Sequence, residues 1–196
     1  MSEVQPRLTV EIAQIFPAQG EWTEWEYFLL PDTSRIIELS DGELIMSPPA
    51  TDTHQRVLDN LYTPLRSFVR ENDLGILRFA PMPVRLWPGK IREPDILFVL
   101  KEHTDRVGEQ FYGVPDLVVE VVSPATARTD RRDKFIEYAQ AGVCEYWLVD
   151  PGKRSVEVFG MEGGVFVLHE KNGLGETARS KLLAGFEIAV DEVFAG

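Results

Sequence analysis

Residues 115–151 read PDLVVEVVSPATARTDRRDKFIEYAQAGVCEYWLVDP, and this stretch decides the fold. Its first segment, residues 115–122, is a nearly continuous apolar run, which is typical of a strand buried on both faces. The apolar spacing over residues 126–140 predicts a helix, with Gly142 as its C-terminal cap. Residues 145–149 (EYWLV) predict another strand. We therefore expect residues 115–122 at the centre of a sheet.

Weaker signals on both sides of this stretch predict the remaining elements. Asp41-Gly42 between two alternating segments indicates a β-hairpin, and the turn WPGK separates two further strands. In chain order we predict a helix over 21–30, hairpin strands over 35–39 and 43–46, a helix from about 51 to 69, strands over 77–86, 91–100 and 115–122, a helix over 126–140, strands over 145–149, 155–159 and 165–169, and a tail over 182–194 with an edge strand and a last turn. This order predicts an α/β or α+β domain with a mixed sheet.

Size and composition fit a single globular domain. The chain has 196 residues, of which 44% are hydrophobic and 27% are charged, and these values exclude a disordered or collagen-like chain. No apolar run approaches the roughly 18 residues that span a bilayer, so we expect no membrane partner. No linker is visible, and we predict one domain over 1–196 with residues 1–20 as an N-terminal extension. The N-terminus lacks a secretory signal and the single cysteine, Cys144, cannot form an internal disulfide, so a cytoplasmic location is expected.

The net charge of −12 disfavours long-range attraction of nucleic acid. The middle of the chain is less acidic than the first 50 residues and is where a phosphate would be accepted most readily. The densest basic stretch there contains Arg128, Arg131, Arg132 and Lys134.

Two carboxylates lie in strongly apolar strand sequences. Glu120 stands in the middle of DLVVEVV, and Asp95 follows Pro94 in EPDILFV. Burying an ionised carboxylate without a partner costs several kcal/mol, so a base or a cation should compensate. If the two strands pair, these carboxylates lie side by side, in an arrangement that suits Mg²⁺ or Mn²⁺. The alternative is structural, with Asp95 capping a turn and Glu120 paired with an arginine.

The helix after Glu120 carries a basic candidate. Asp130, Lys134 and Tyr138 share one i, i+4 row, and the short connection lets the Lys134 ammonium return toward the carboxylates. There it can orient a water and stabilise negative charge in a transition state. The alternative is a solvated lysine paired with Asp130.

These motifs together resemble the PD-(D/E)XK restriction-endonuclease-like superfamily. They are Pro94-Asp95, Glu120 before Ser-Pro, the Lys134 and Tyr138 helix, and GVCEYWLVDP; the upstream segment DGELIMSPPATDTHQ is similar to a bacterial branch of proposed restriction endonucleases once classed as a domain of unknown function. The resemblance covers about residues 22–194 and implies a central mixed sheet flanked by helices. It implies that Asp95, Glu120 and the carbonyl of Val121 bind the metal. Val122 stands where the family signature has lysine, and Lys134 matches the helix lysine that replaces it in similar sequences.

Two further residues belong to the expected catalytic group. Glu43 matches an early acidic position that can reach the metal through water in this fold; the alternative is a solvent-facing hairpin residue. His54 shares a helix row with Leu58, Leu61 and Leu65 and so faces inward, where it could contact a phosphate or assist proton transfer. The alternative for His54 is a packed, hydrogen-bonded side chain.

The resemblance and the residues together predict a Mg²⁺- or Mn²⁺-dependent endonuclease that hydrolyses DNA. The expected catalytic residues are Asp95, Glu120, Lys134, Glu43 and His54. A different reading is a catalytically silent protein of the same fold that acts through protein contacts, which the acidic charge and Val122 favour. A third is a metal-dependent phosphoesterase with a smaller substrate. The aromatic residues of the first helix are core or an oligomer contact, and a homodimer is among the expectations.

Overall fold

The computed structural model describes residues 16–31 and 35–196, and its elements are numbered here in chain order. The helices are α1 (Glu24–Phe28), α2 (Asp52–Glu71), α3 (Phe135–Ala141) and α4 (Val190–Val193), with a 3₁₀ turn over Lys101–Arg106 and a π-helical turn over Thr129–Lys134 before α3. The strands are β1 (Ile37–Ser40), β2 (Glu43–Met46), β3 (Gly75–Phe79), β4 (Val84–Trp87), β5 (Lys90–Arg92), β6 (Ile96–Leu100), β7 (Leu117–Val121), β8 (Glu145–Asp150), β9 (Ser155–Glu162), β10 (Val165–Asn172), β11 (Thr177–Arg179) and β12 (Glu187–Ala189). Most of the predicted N-terminal extension lies outside the described residues.

A six-stranded mixed sheet forms the centre of the molecule. Its strand order is β10-β9-β8-β7-β6-β3. β7 and β8 are parallel, and every other neighbouring pair in this sheet is antiparallel. The π-helical turn and α3 make the crossover that a parallel pair requires. The prediction that residues 115–122 lie inside a mixed sheet is confirmed, because β7 has a strand on each side.

Helix α2 covers one face of this sheet. Val57, Leu61 and Leu65 of α2 lie at helical spacing and are buried in one cluster with Val119 and Trp147 of the sheet. Fully burying a side chain of this kind contributes about 1.5–3 kcal/mol relative to leaving it exposed. This packing holds the first turn of α2 beside the ends of β6 and β7.

The opposite face packs against α3 and a second sheet. Val118 and Val122 are buried there with Tyr138 of α3 and Leu86 of β4. Because successive residues of a strand point to opposite faces, Glu120 shares this face with Val118 and Val122. The face that receives Glu120 is therefore the one on which α3 lies.

The second sheet is antiparallel and has four strands in the order β2-β1-β5-β4. α1 packs on it through Tyr27, which is buried with Leu39 and Ile91. Of the two alternatives for the aromatic residues of this helix, Tyr27 is core, whereas Trp25 is 72% exposed and the neighbouring Leu29 is 60% exposed. The short length of α1 explains this difference, because five residues bury little more than one side chain.

Two long predicted strands are each divided in the structure. The segment 77–86 splits into the end of β3 and most of β4, and the segment 91–100 splits into the end of β5 and all of β6. Pro81, Pro83 and Pro94 stand at or beside the breaks, and proline has no N–H to give to a sheet. β3 and β6 consequently pair in the six-stranded sheet, whereas β4 and β5 belong to the smaller one.

The other predicted elements are found with modest changes of length. The first hairpin, the long helix after Thr51 and the cap at Gly142 are confirmed, and Gly142 has a φ of 91°. The tail forms β12 and α4, but β12 pairs with β11 rather than with an edge of the large sheet. Across residues 16–31 and 35–196, no helix has both the length and the apolar character needed to cross a bilayer.

The start of α2 gives a first testable prediction. The Thr51 hydroxyl accepts a hydrogen bond from the backbone N–H of His54 at 3.2 Å and so caps the helix. We expect Thr51→Ala to lower the free energy of unfolding by about 1 kcal/mol, measured from urea denaturation, because a helix donor loses its partner. Thr53→Ala is the matched control, since Thr53 is an exposed threonine two residues later, in the first turn of α2. Equal losses in both variants would contradict a capping role for Thr51.

Candidate active site

Asp95 and Glu120 lie side by side where β6 begins and β7 ends. The antiparallel register places Ile96 opposite Val119, and continuing it by one residue places Asp95 opposite Glu120. Both carboxylates are buried. The structure thus brings together the two residues that the sequence singled out as a pair, and it does so through the strand pairing on which that prediction depended.

Asp95 is held by one backbone group and one imidazole. The N–H of Val121 donates to Asp95 Oδ2 at 2.7 Å, and His54 Nε2 lies 3.0 Å from Asp95 Oδ1. Burial lowers the pKa of His54, but the hydrogen bond to Asp95 and the charge of that carboxylate outweigh it and the net shift is upward. His54 therefore sits within the predicted group and orients Asp95 directly.

Glu120 accepts two hydrogen bonds from the helix that follows it. Lys134 Nζ is 2.9 Å and the Tyr138 hydroxyl 2.8 Å from Glu120 Oε1. Burial raises the pKa of Glu120 well above its usual range, and neighbouring carboxylates, including that of Asp95, add to the rise, while the Lys134 ammonium opposes it. Lys134 and Tyr138, which the sequence places on one i, i+4 row, thus both donate hydrogen bonds to Glu120.

Lys134 is a buried cation, not a surface lysine. Burial opposes its charge, yet the carboxylates of Glu120 and Glu38 together raise the pKa of Lys134 far above its usual range. Its ammonium also lies 3.0 Å from Glu38 Oε1, whereas Asp130 Oδ1 is 3.9 Å away. The alternative of a solvated lysine paired with Asp130 therefore does not describe this side chain.

Glu38 is the acidic residue that sequence reasoning missed. Besides Lys134, it contacts Arg92, whose Nη1 is 2.8 Å from Glu38 Oε2, and it accepts the backbone N–H of Glu93 at 3.1 Å. Burial raises its pKa, but the charges of Lys134 and Arg92 outweigh this and the net shift is downward. The signal was present in the sequence, because Glu38 stands between Ile37 and Leu39 in a predicted strand, as Glu120 stands among valines.

Glu43 does not join this group. It lies at the turn end of the β1–β2 hairpin, opposite Ser40, and is exposed. In the part of the chain that the structure describes, no hydrogen bond or ion pair links its side chain to Asp95, Glu120 or Lys134. The placement agrees with the alternative of a solvent-facing hairpin residue, and the inward acidic position of this hairpin is Glu38.

The basic stretch around Lys134 is divided between the interior and the surface. Arg131 Nη2 is 2.8 Å from Asp150 Oδ2, and its Nη1 contacts Glu157 Oε2 at 2.5 Å. Arg128 and Arg132 are exposed on the same helical segment. Two of the four predicted phosphate-accepting cations thus neutralise carboxylates of the protein, and two face solvent.

Asp130 is a second acidic residue of the site that the sequence did not assign to it. Its side chain is buried in the π-helical turn, and its Oδ1 atom has no hydrogen-bond partner among the described residues. Burial raises the pKa of Asp130 to about 6, the Lys134 ammonium opposes the rise, and the charge of Asp95 adds to it. This buried oxygen receives no hydrogen bond from any described residue and lies 3.9 Å from Lys134 Nζ, so the ammonium compensates its charge only in part.

The donor chemistry fits a small divalent cation. Asp95, Glu120 and the Val121 carbonyl offer hard oxygen atoms, and Mg²⁺ usually takes one or two carboxylates and keeps several waters. Such an ion would relieve the mutual repulsion of the buried carboxylates, because Asp130 and Asp95 each add to the rise that burial causes in the pKa of Glu120. Among residues 16–31 and 35–196, no three His, Cys, Asp or Glu side chains form a metal-ligand set, so water would complete the shell.

Comparisons with known proteins bear on this arrangement. A family model described as "Uma2: Putative restriction endonuclease" matches residues 25–191. The chain is also similar to the crystal structure of "a putative nuclease belonging to DUF820" from Anabaena variabilis ATCC 29413, at 20% sequence identity and a TM-score of 0.72, over 88% of this chain and 97% of that one. No curated protein is detectably similar in sequence. The predicted restriction-endonuclease-like fold is confirmed.

The buried Asp130 carboxylate predicts a pH-dependent stability. Its pKa is raised from 3.8 to about 6, so the unfolded chain loses this proton first and stability falls as the pH rises from 3.8 to about 6, above which the full cost is present. We expect Asp130→Asn, which resembles the neutral acid, to be close to wild type below pH 4. Above pH 7 the variant should be more stable by about 3 kcal/mol.

The measurement is the difference in unfolding free energy between variant and wild type, taken in chelator from pH 4 to 8. Asp133→Asn is the matched control, because Asp133 is exposed in the same turn. A difference for Asp130→Asn that stays flat across this range would contradict the raised pKa.

Proposed function

Because the chain belongs to the Uma2 family, whose model is described as "Putative restriction endonuclease", we propose that it is a Mg²⁺- or Mn²⁺-dependent endonuclease that hydrolyses phosphodiester bonds of DNA. The observation that carries the proposal is the Lys134 ammonium, 2.9 Å from Glu120, which itself lies opposite Asp95. The carboxylates of Asp95 and Glu120 thus lie close to the Lys134 ammonium, although Val122 stands at the strand position where the family signature has lysine. The similar crystal structure from Anabaena variabilis, described as "a putative nuclease", gives further support.

Asp95, Glu120 and the carbonyl of Val121 would hold the metal ion. When bound, the ion supplies Lewis-acid stabilisation of charge on a phosphodiester and lowers the pKa of a bound water. Asp95 reaches this role in a fixed orientation, because Val121 N–H and His54 Nε2 each bind one of its oxygens. His54 therefore acts as a positioning residue for Asp95. It lies in the first turn of α2, where backbone N–H groups would bind a phosphate.

Lys134 supplies a permanent positive charge beside the ligands. Its raised pKa keeps the ammonium protonated at neutral pH, so it stabilises negative charge and orients water as a hydrogen-bond donor, and does not act as a base. Glu38 and Glu120 hold the ammonium from two sides, so it needs no rearrangement to act. A donor fixed before the reaction avoids the reorganisation that solvent would need.

The metal ligands give the central prediction. We expect cleavage of supercoiled plasmid with Mg²⁺ or Mn²⁺ by the wild type and none in Asp95→Asn, in Glu120→Gln or with chelator, because each change removes ligand charge or the ion. Glu43→Gln is the matched control, since Glu43 is an exposed acid of the same chain. Cleavage that survives in Glu120→Gln would refute the assignment.

A second readout of the same prediction does not depend on activity. If the two carboxylates bind the ion, Mn²⁺ should raise the melting temperature of the wild type because it binds the folded state only. The rise should vanish in Asp95→Asn and persist in Glu43→Gln. An equal rise in all three proteins would mean that Mn²⁺ binds the acidic surface nonspecifically.

Lys134 separates an active nuclease from a silent relative. We expect Lys134→Ala to reduce single-turnover cleavage by about 10²-fold or more while Mn²⁺ binding persists, as for loss of a donor that stabilises transition-state charge. Lys134→Arg should recover little, because a planar guanidinium does not replace a compact ammonium. Lys153→Ala, at an exposed lysine, is the control.

Circular dichroism must accompany the cleavage measurement, because removing one member of a buried ion pair costs about 3–5 kcal/mol of stability. Unchanged cleavage in a folded Lys134→Ala variant would remove Lys134 from the mechanism. A complete lack of cleavage by the wild type would favour the alternative of a protein that acts through protein contacts. The homodimer and the cytoplasmic location are further proposals that rest on the sequence alone.

A further inference from the structure

An open pocket of about 650 Å³ runs along the outer side of α2 beside the edge strand β3. Its floor includes Leu58 and Tyr62 of α2 and Phe79 at the end of β3. Arg66 and Arg70 also line it, one and two turns further along the helix. None of these five side chains takes part in the charge cluster around Lys134.

The pocket begins next to the candidate active site. Gln55, which lines its near end, follows His54, whose Nε2 lies 3.0 Å from Asp95. On the other wall, Phe79 pairs with Ile96, and the N–H of Ala80 donates to the backbone oxygen of Asp95 at 3.1 Å. The pocket lining at Gln55 and Phe79 is therefore next to backbone that carries the site residues His54 and Asp95.

The lining offers a stacking surface. Phe79 is 51% exposed, which is unusual for a phenylalanine at the end of a strand in the central sheet. Its ring meets that of Tyr62 edge to face, with the centroids 4.8 Å apart, and this contact fixes the orientation of the Phe79 face. Every nucleobase has a π-face, so an exposed and oriented aromatic ring binds unpaired bases with little sequence preference.

The lining also offers cations in a molecule that is otherwise acidic. Arg66 and Arg70 are exposed on the pocket side of α2, and Thr63 and Ser67 also line this side. Asp59 and Glu71 stand toward the two ends. From Gln55 to Arg70 the helix rises about 22 Å, which is about six stacked nucleotides of one strand. Arginine forks suit phosphate oxygens along such a strand.

We propose that this pocket binds an unpaired strand of the DNA substrate next to the scissile phosphate, with bases on Phe79 and phosphates on Arg66 and Arg70. The inference rests on the proposed nuclease function for its substrate, but the binding itself needs neither metal nor catalysis. It deepens that function by giving the substrate class as DNA with a single-stranded segment, such as a fork, a flap or a gap. Duplex DNA presents no free base faces and would leave the aromatic pair unused.

The test is fluorescence anisotropy with a fluorescein-labelled 12-nucleotide single strand and with the same sequence as a duplex. Both are titrated in chelator, so that nothing is cleaved. We expect the full-length wild type to bind the single strand at least 10-fold more tightly than the duplex. Phe79→Ala should weaken single-strand binding by about 10-fold, as expected for losing one stacked base, and Phe79→Trp should retain it.

The arginine variant tests the phosphate contacts separately. Arg66→Ala with Arg70→Ala should weaken single-strand binding and reduce the slope of log affinity against log salt by about 1.4, because two contacts to a single strand are lost. Two variants outside the pocket are matched controls: Trp25→Ala removes an exposed aromatic ring, and Arg179→Ala with Lys181→Ala removes the same net charge. Both controls should bind as the wild type does.

Three results would overturn the inference. They are equal affinity for single strand and duplex, unchanged binding by Phe79→Ala, and an equal loss in the charge control, which would mean that only overall charge matters. None of these results touches the proposed function, because plasmid cleavage by the wild type and its loss in Glu120→Gln are measured separately. Conversely, strong single-strand binding without any cleavage would support the pocket and refute the nuclease.

Discussion

The ammonium of Lys134 joins the two sheets of this protein at one point. It contacts Glu120 of the six-stranded sheet at 2.9 Å and Glu38 of the four-stranded sheet at 3.0 Å. Acidic and basic side chains continue to alternate away from Lys134. Arg92 lies between Glu38 and Glu137, and the Lys90 ammonium is 2.9 Å from Glu137. Each buried charge is tolerable only because an opposite charge touches it. The same chain of ion pairs therefore holds the small sheet, α3 and the site residues in place.

The part of this arrangement that the sequence predicted depends on local periodicity. An acid inside an apolar strand needs compensation, and the i, i+4 row of Lys134 and Tyr138 could supply it wherever the helix packed. Asp95 followed from the same reasoning once its strand was assumed to pair with that of Glu120. These inferences used only strand alternation and helical spacing, which tertiary packing did not change.

Prediction and structure differ where the partner of a residue is distant in the chain. The resemblance places Glu43 in the site, whereas the acid of this hairpin that contacts Lys134 is Glu38, which is also held by Arg92, 54 residues away. The sequence predicts continuous strands over 77–86 and 91–100, because periodicity does not show to which sheet each half belongs. The pocket beside α2 has no sequence signal, since Tyr62 and Phe79 meet only when β3 pairs with β6.

Because the ammonium comes from Lys134 on a helix, the segment between Glu120 and Lys134 is constrained in length. Residues 124, 125, 128, 132 and 133 are exposed, and exposed connections usually vary in length among related proteins. A helix turns about 100° per residue, so one residue added or lost between residue 127, where the helical segment begins, and Lys134 would rotate Lys134 off Glu120. The number of residues in this helical segment is therefore constrained, whereas no hydrogen bond or ion pair among the described residues links its exposed positions 128, 132 and 133 to the site. The length of this solvent-facing segment thus determines the contact between Lys134 and Glu120 as much as the identity of the two residues does.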